Sequence, residues 1–196
     1  MIDRVIAFIL LVFVLPLIIV LVTASVIMRQ TPVIFKSNRL GKNKKIFTIY
    51  KFSTLVNWNK TQFETYLLNN PEQKREWEKY GKLCNDPRGS KYGFFLRRFS
   101  LDEIPQLWNV IKGEMALVGP RPIDIREDII YGRYSSLLHS VKPGITGLWQ
   151  VSGRNTIPYR RRIAINLYYV KHKSLCLDLW IIYKTVWAVL GGRGAY

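Results

Sequence analysis

The segment VIAFILLVFVLPLIIVLVTASVIM, Val5 to Met28, determines how the rest of the chain is arranged. It holds no charged residue, and as a straight helix it would be about 36 Å long, enough to cross a bilayer core of about 30 Å. A signal peptide fits less well, because Asp3 cancels the charge of Arg4 and no small-residue cleavage site precedes Arg29. We therefore expect a membrane-embedded segment at the N-terminus.

Pro16 lies near the middle of this apolar segment. A proline inside a helix removes one backbone hydrogen bond and clashes with the preceding turn, so a kink is expected. Each half is about half a bilayer deep. A kinked spanning helix and a re-entrant helix–break–helix hairpin both fit these residues. The re-entrant form would return Arg29 to the side of the membrane that holds Asp3 and Arg4.

The charge of the chain predicts an anionic partner. Lys and Arg number 30 against 13 Asp and Glu, which gives a net charge of +17. Eight of the basic residues lie between Arg29 and Lys60, where no acid occurs. Such a run beside a membrane segment stays on the cytoplasmic side and is attracted to anionic headgroups. Since no nucleic-acid-binding motif occurs, we expect a membrane surface or a phosphorylated substrate, and no nucleic acid.

The remaining residues predict one mixed domain over 29–196, after a membrane segment over 1–28. The chain is long enough for one hydrophobic core and too short for two. Residues 45–52 alternate and are rich in β-branched and aromatic side chains, which indicates a strand. The fold class is therefore α+β, mainly helical with a few short strands. Further strands are expected at 116–118 and 146–151, and helices at 60–83 (in two parts, divided at Asn70-Pro71), 157–173 and 178–190.

The cysteine and histidine residues do not predict a metal site. Cys84 and Cys176 lack the C-x-x-C spacing of zinc sites, and two cysteines do not make a disulfide framework. His139 and His172 stand alone, whereas a metal site needs clustered ligands. We expect both histidines to be structural or surface residues.

The adjacent acids Asp102 and Glu103 lie in SLDEIPQLWNVIKGEMALVGPRP, Ser100 to Pro122. One interpretation needs no chemistry: Ser100-x-x-Glu103 has the pattern of a capping box, and Asp102 is favoured in the first turn of a helix. Pro105 argues against an ordinary helix start, since it lacks the N–H that a continuing helix needs.

The same acids also suit phosphoryl chemistry. A carboxylate at a helix N-terminus beside Arg97 and Arg98 should stay ionised at neutral pH, so Asp102 could attack an activated phosphorus. Arg121, fixed between two prolines, has little conformational entropy left to lose. A guanidinium held in this way suits bidentate contact with a phosphate.

The order of the motifs carries a family resemblance. They are the apolar segment with its central proline, YKF at 50–52, NDPR at 85–88, LRRFSLDEIPQLWNVIKGEMALVGPRP from Leu96 and VKPGITGLWQVSGRN from Val141. Over essentially its whole length the chain resembles the bacterial sugar transferases, the monotopic polyprenyl-phosphate phosphoglycosyl transferases. WEKYGKL at 77–83 and the terminal GAY are similar to the undecaprenyl-phosphate galactose and glucose phosphotransferases. Larger members of that branch carry further N-terminal membrane helices, so we expect a minimal catalytic unit.

The resemblance implies an activity. Such enzymes transfer a sugar 1-phosphate from a UDP-sugar to undecaprenyl phosphate at the cytoplasmic face of the bacterial inner membrane, release UMP and so start the assembly of a surface polysaccharide or glycan. The implied course is ping-pong with Mg²⁺ as cofactor. Asp102 would form a covalent phosphosugar intermediate and contact the metal, with Glu103 as acid/base or positioning group. The oligomeric state is left open, a homo-oligomer included.

The resemblance also implies further site residues. It assigns phosphate or nucleotide contacts to Lys51, Arg97, Arg121, Arg154 and Asp178. It favours the re-entrant hairpin broken at Pro16, although a small polar residue usually precedes that proline and Leu15 stands here. Two other positions depart from the family pattern: Ser53 stands where a cation is usual, and Asn166 where an acid is usual. These departures keep a second hypothesis open, a catalytically silent membrane scaffold for glycan assembly. A third is a basic peripheral protein that binds anionic lipid without chemistry.

Overall fold

The computed structural model describes residues 1–56, 58–80, 83, 86–153 and 157–191. Helix α1 (Ile2–Ile27) is followed by an antiparallel hairpin of β1 (Ile34–Leu40) and β2 (Ile46–Phe52). The order then continues with α2 (Lys60–Asn69), α3 (Pro71–Tyr80), α4 (Lys91–Arg98), α5 (Leu107–Lys112), β3 (Ala116–Val118), α6 (Asp128–Tyr131), α7 (Ser135–Leu138), β4 (Gly144–Thr146), α8 (Leu148–Val151), α9 (Tyr159–His172) and α10 (Leu175–Gly191). The predicted α+β class, mainly helical with few short strands, is confirmed.

Helix α1 continues through Pro16. The helix extends from Ile2 to Ile27, and Pro16 lies inside it. The structure gives one continuous helix here, so the predicted break at Pro16 is not confirmed. Prolines are tolerated within apolar helices because small local adjustments re-satisfy the freed backbone groups. The re-entrant course of the helix stays a prediction.

One stripe of α1 packs on the domain. Its members are four and three residues apart, the spacing of one helix face: Ala7, Leu11, Val14, Ile18 and Leu21. Ser25 on the same face is also buried, and most other side chains of the helix are exposed. Among the described residues, α1 is the one helix long and apolar enough to cross a membrane. A core helix of a soluble domain would be mostly buried, so the exposed apolar surface of α1 indicates membrane association.

Both ends of α1 contact the same domain. Near its start, Arg4 Nη2 donates to the carbonyl oxygen of Lys112, at the end of α5, over 3.3 Å. Near its end, Ser25 Oγ lies 3.1 Å from the hydroxyl of Tyr92 in α4, and that hydroxyl donates to the Leu21 carbonyl oxygen at 2.7 Å. The helix therefore lies along the domain over most of its length.

Asn109 joins the hairpin to α5. Its side chain is fully buried and makes three hydrogen bonds. Asn109 Oδ1 accepts from the Tyr50 amide at 3.3 Å, and Nδ2 donates to the Thr48 carbonyl at 2.7 Å and to Glu114 Oε2 at 2.8 Å. This contact fixes β2, and with it Lys51, beside the segment that carries the paired acids.

Two features of the fold differ from the sequence-based expectation. Strand β1 was not predicted, and its residues Ile34–Leu40 pair with β2 in antiparallel register. The strand expected over 146–151 is wrong: β4 ends at Thr146, and Leu148–Val151 form the short helix α8. The parallel contact of β3 with β4 is only three residues long, and the buried Trp149 is accommodated in α8 beyond it.

Candidate active site

The paired acids lie in a 3₁₀ turn between α4 and α5. This turn covers Leu101–Gln106 and contains Pro105. Ser100 precedes it with φ of +54°, a left-handed conformation, and its side chain makes no capping hydrogen bond. The predicted capping box is therefore wrong, because a capping residue adopts an extended conformation that aims its oxygen at the helix N–H groups. The tight turn places Asp102 and Glu103 in front of β2.

Among the described residues, Glu103 has an ion-pair partner and Asp102 has none. Lys51 Nζ on β2 donates to Glu103 Oε1 at 2.6 Å, and both side chains are largely buried. Within the described part of the chain, Asp102 makes no hydrogen bond or ion pair. The two neighbouring carboxylates therefore stand in different environments.

The environment of Asp102 raises its pKa. Burial, followed by the like charge of Glu103, raises the pKa of the Asp102 carboxyl to about 6, against the opposing effect of Lys51, Arg97 and Arg121. The sequence predicted that Asp102 would stay ionised at neutral pH, and a pKa of about 6 agrees with that, although burial raises the pKa above its ordinary value. At pH 7 about nine-tenths of the group is still ionised. Asp102 is thus anionic and more basic than an ordinary aspartate.

Arg97 lies behind the acid pair, whereas Arg98 is exposed. Arg97 Nε donates to Thr54 Oγ1 at 2.9 Å, and burial lowers the pKa of its guanidinium. Gly93 allows this approach, since a Cβ there would lie 2.0 Å from the Thr54 carbonyl oxygen. The charge of Arg97 acts on both Asp102 and Asp86.

Asp86 in turn holds an arginine of the NDPR motif. Arg88 makes two side-chain hydrogen bonds to Asp86, at 2.8 and 2.6 Å. Its guanidinium lies 3.9 Å from the ring centroid of Phe63 in α2. The α2–α3 region is thereby connected to the charges that surround the acid pair.

Close backbone contact positions Arg121. A Cβ on Gly144 would lie 2.1 Å from the Gly119 amide nitrogen, and one on Gly147 would lie 2.1 Å from the Gly119 carbonyl oxygen. Only glycines allow β3 and β4 to approach this closely. The Gly144 amide also donates to the Pro120 carbonyl at 2.9 Å. The segment that carries Arg121 therefore lies beside β4 and α8.

A cavity of about 120 Å³ collects several of the predicted residues. Its polar lining comprises Arg39, Lys51, Glu103, Gln106, Arg121 and Gln150. The two glutamines and Arg39 were not predicted, although Gln106 and Gln150 lie inside the motifs that carry the family resemblance. A larger open groove of about 540 Å³ lies along α2 between Trp58 and Asn69, and the described side chains that line it are uncharged.

Two predicted site residues lie elsewhere. Asp178 Oδ1 accepts a hydrogen bond from the buried Tyr169 hydroxyl at 2.7 Å, and it does not line the cavity. Its role in phosphate binding stays a prediction. Arg154 lies outside the described residues.

The structural role expected of His139 fits its buried position, where its ring nitrogens lie 3.0 Å from the Gly41 carbonyl and from Asp128.

The acid pair suits a magnesium ion bound together with a substrate. No group of three or more His, Cys, Asp or Glu side chains capable of holding a metal occurs among the described residues. Mg²⁺ needs no such group, because it keeps several waters and is usually bound by one or two carboxylates plus substrate phosphates. Asp102 and Glu103 meet that requirement, and the Mg²⁺ expectation stays a prediction.

Comparison with known proteins gives consistent matches. The model of the family described as bacterial sugar transferase matches residues 1–192. The chain is 48% identical over 163 residues to an uncharacterized sugar transferase of Haemophilus influenzae, an alignment of 83% of this chain and 35% of that protein. It is 46% identical over 165 residues to the undecaprenyl-phosphate galactose phosphotransferase of Salmonella typhimurium. That alignment covers 84% of this chain and 35% of that protein.

A shorter relative aligns over most of its own length. The exopolysaccharide production protein ExoY of Rhizobium meliloti is 42% identical over 164 residues, which cover 84% of this chain and 73% of that protein. The chain spans about a third of the length of the first two relatives. The aligned part includes the turn with the paired acids and the residues that line the cavity.

Proposed function

This chain belongs to the bacterial sugar transferase family, and on that premise we propose that it transfers a sugar 1-phosphate from a UDP-sugar to undecaprenyl phosphate and releases UMP. The observation that carries this proposal is that Asp102, which bonds to no other side chain among the described residues and has a raised pKa, stands next to a Glu103 held by Lys51. The cationic residues around them fit an anionic diphosphate donor.

Asp102 is the nucleophile of the proposed first step. A carboxylate oxygen of Asp102 attacks the phosphorus that carries the sugar, and the bond to the bridging oxygen breaks. The electron pair leaves with UMP, and an acyl phosphate joins the sugar 1-phosphate to Asp102. An oxygen of the lipid phosphate then attacks the same phosphorus and frees the carboxylate. The raised pKa supports this role, because a more basic carboxylate is a better nucleophile.

Lys51 positions Glu103 of the acid pair, and Lys51 and Arg121 neutralise negative charge in the cavity. Lys51 holds Glu103 in place and offers positive charge to the cavity, while Arg121 faces the same cavity. Preorganised cations of this kind stabilise the charge that develops in phosphoryl transfer. Asp102 and Glu103 would hold Mg²⁺, which would supply charge neutralisation of the diphosphate.

The departures at Ser53 and Asn166 do not remove this machinery. Both residues are buried, and neither lines the cavity. No observation therefore favours the silent-scaffold hypothesis over catalysis, and it becomes one outcome of the activity test.

Membrane attachment is proposed to be monotopic. Arg4 and Ser25, at opposite ends of α1, both contact the domain. A helix that crosses the bilayer at right angles would place one end on the far side, out of reach of that domain. We propose that α1 bends at Pro16, so that it enters and returns on the cytoplasmic face with its exposed apolar side in lipid. Exposed apolar side chains of α10, such as Trp180 and Trp187, suit the headgroup region.

UMP release tests the activity. The protein in lipid nanodiscs is incubated with undecaprenyl phosphate, Mg²⁺ and a panel of UDP-sugars, and we expect UMP from at least one donor. Asp102→Asn should abolish release, while Asp178→Asn reports whether that acid contributes. Absence of UMP with every donor would contradict the proposed transfer and favour the scaffold.

Cysteine labelling tests the topology. Single cysteines replace Ile2 and Met28 in a variant in which the natural cysteines are replaced, and intact cells are treated with a membrane-impermeant maleimide before and after permeabilisation. Monotopic attachment predicts that both positions react only after permeabilisation. Reaction of one position in intact cells would indicate a spanning helix.

A further inference from the structure

Two guanidinium groups lie near the ring of Trp149 in α8: that of Arg121, which also faces the cavity of the acid pair, and that of Arg162, which the chemistry proposed at Asp102 does not use. The guanidinium carbon of Arg121 lies 5.5 Å from its ring centroid, and that of Arg162 in α9 lies 5.1 Å away. Trp149 is only 5% exposed, and its indole N–H has no acceptor in the described part of the chain. Because buried donors are normally hydrogen-bonded, this N–H requires an explanation.

The two arginines near Trp149 also act on a buried tyrosine. The buried Tyr131 hydroxyl accepts from Asn166 Nδ2 at 3.0 Å, so its own proton is available for another acceptor. The charges of Arg121 and Arg162 both act on Tyr131, and one acid, Glu127, acts with them. Among the described residues, this cluster combines two guanidinium groups and the Trp149 N–H with one acid, Glu127, and Arg162 Nε also donates to the Ile157 carbonyl oxygen at 2.7 Å.

We propose that Trp149 Nε1, Arg121 and Arg162 form a second phosphate subsite beside the acid pair, which holds the phosphate of the departing nucleoside monophosphate. The inference rests on the proposed function for the identity of the ligand. Guanidinium groups bind phosphate through paired hydrogen bonds, and the indole N–H adds one neutral donor of fixed direction.

The position of Arg121 identifies which phosphate is bound. Arg121 lines the cavity together with Glu103, and its charge acts on both Asp102 and Arg162. It therefore lies between the attacked phosphorus and the Trp149 subsite. A nucleotide sugar carries two linked phosphates, which matches two adjoining subsites. The cavity of about 120 Å³ is well below the roughly 300 Å³ or more typical of ligand sites, so it takes only part of the donor.

This subsite acts on the bond that breaks. When Asp102 attacks one phosphorus, the bridging oxygen leaves with the electron pair and gains negative charge on the second phosphate. Donors aimed at that phosphate stabilise the transition state and retain UMP until it dissociates. Asn166 adds no negative charge here, unlike the acid usual in the family, so the subsite keeps its full cationic character.

Binding of UMP to the full-length protein in nanodiscs tests the subsite. Trp149→Phe keeps the ring and removes the N–H, and Arg162→Gln removes one charge. Each substitution should weaken UMP binding about tenfold, which is the usual loss for a hydrogen bond to a charged group. Isothermal titration calorimetry measures the affinity. The matched controls are the exposed Trp108→Phe and Arg161→Gln, which should bind UMP as the wild type does. Asn166→Asp should also weaken UMP binding.

The outcomes separate the subsite from the overall reaction. A loss seen only in the KM for undecaprenyl phosphate would assign the subsite to the phosphate of the acceptor and overturn the nucleotide assignment. If Trp149→Phe and Arg162→Gln, folded by circular dichroism, bind UMP and lipid phosphate normally while the wild type releases UMP, the subsite is wrong and the transfer stands. If UMP binding falls in both variants but the wild type transfers no sugar phosphate, the subsite stands and the proposed function fails.

Discussion

Lys51 Nζ donates a hydrogen bond to Glu103 Oε1 at 2.6 Å, and this contact separates two acids that are adjacent in the sequence. Glu103 is held against β2, whereas Asp102 makes no ion pair within the described residues. Burial then raises the pKa of Asp102. The roles proposed for the two acids, nucleophile for Asp102 and positioning group for Glu103, rest on this asymmetry.

Asp102→Asn should abolish UMP release and stabilise the protein. The Asp102 pKa is higher in the folded chain, about 6, than the ordinary value of 3.8, so its ionisation costs stability as pH rises from about 4 to 6 and the cost is constant above that range. At pH 7.5 the variant should gain on the order of 1–2 kcal/mol, or several degrees in Tm. Thermal unfolding in detergent at pH 7.5 and pH 4 measures the gain, which should shrink at pH 4. An equal or lower Tm at pH 7.5 would count against burial as the cause of the shift.

The rate of UMP formation should follow the ionisation of Asp102. Below about pH 6 the rate should fall tenfold per pH unit, and above it the rate should level off. Lys51→Met removes a charge that lowers this pKa, so the midpoint of its profile should move to higher pH, in addition to any loss of rate. Single-turnover UMP release across pH 4.5–8.5 measures the midpoint. The exposed Lys36→Met on β1 is the matched control, and an unshifted midpoint in Lys51→Met would contradict the assignment.

Asn109→Ala should destabilise the domain by about 2–4 kcal/mol, because it leaves the backbone groups of Thr48 and Tyr50 without their buried partner. Chemical denaturation measures the change, and the exposed Asn69→Ala is expected to stay within about 0.5 kcal/mol of the wild type. Loss of activity in proportion to the unfolded fraction is expected, since Asn109 does not line the cavity. A stable but inactive variant would point instead to a direct role in the reaction.

Gly144→Ala should separate β3 from β4 and displace Arg121. The added Cβ would lie 2.1 Å from the Gly119 amide nitrogen, which is backbone and cannot rotate away. We expect loss of several kcal/mol of stability and of at least tenfold in UMP release. The control is Gly191→Ala at the end of α10, where an added Cβ meets nothing within 4 Å. Wild-type activity in Gly144→Ala would mean that the contact between these strands does not position Arg121.

Particular elements show where sequence reasoning was sufficient. The strand at Ile46–Phe52 and the helices divided at Pro71 were predicted from alternation and from a proline that ends a helix. The strand predicted after Thr146 was wrong, because a strand of only three residues gives too short an alternating pattern to be recognised. Leu148–Val151 form α8 instead, and Trp149 in that helix is buried. Gln150 escaped prediction because a neutral amide has no charge pattern to mark it.

The sequence by itself determined the chemistry available to this protein: the apolar N-terminal segment, the excess of positive charge, the acids at 102 and 103, and an arginine fixed between prolines. These are properties of residue types and of neighbours along the chain, which composition and spacing record. Only the tertiary structure decided that Lys51 binds Glu103 and that Asp102 carries a raised pKa. The physical reason is that burial and ion pairing depend on distances between residues that are far apart in the sequence, here 52 positions from Lys51 to Glu103.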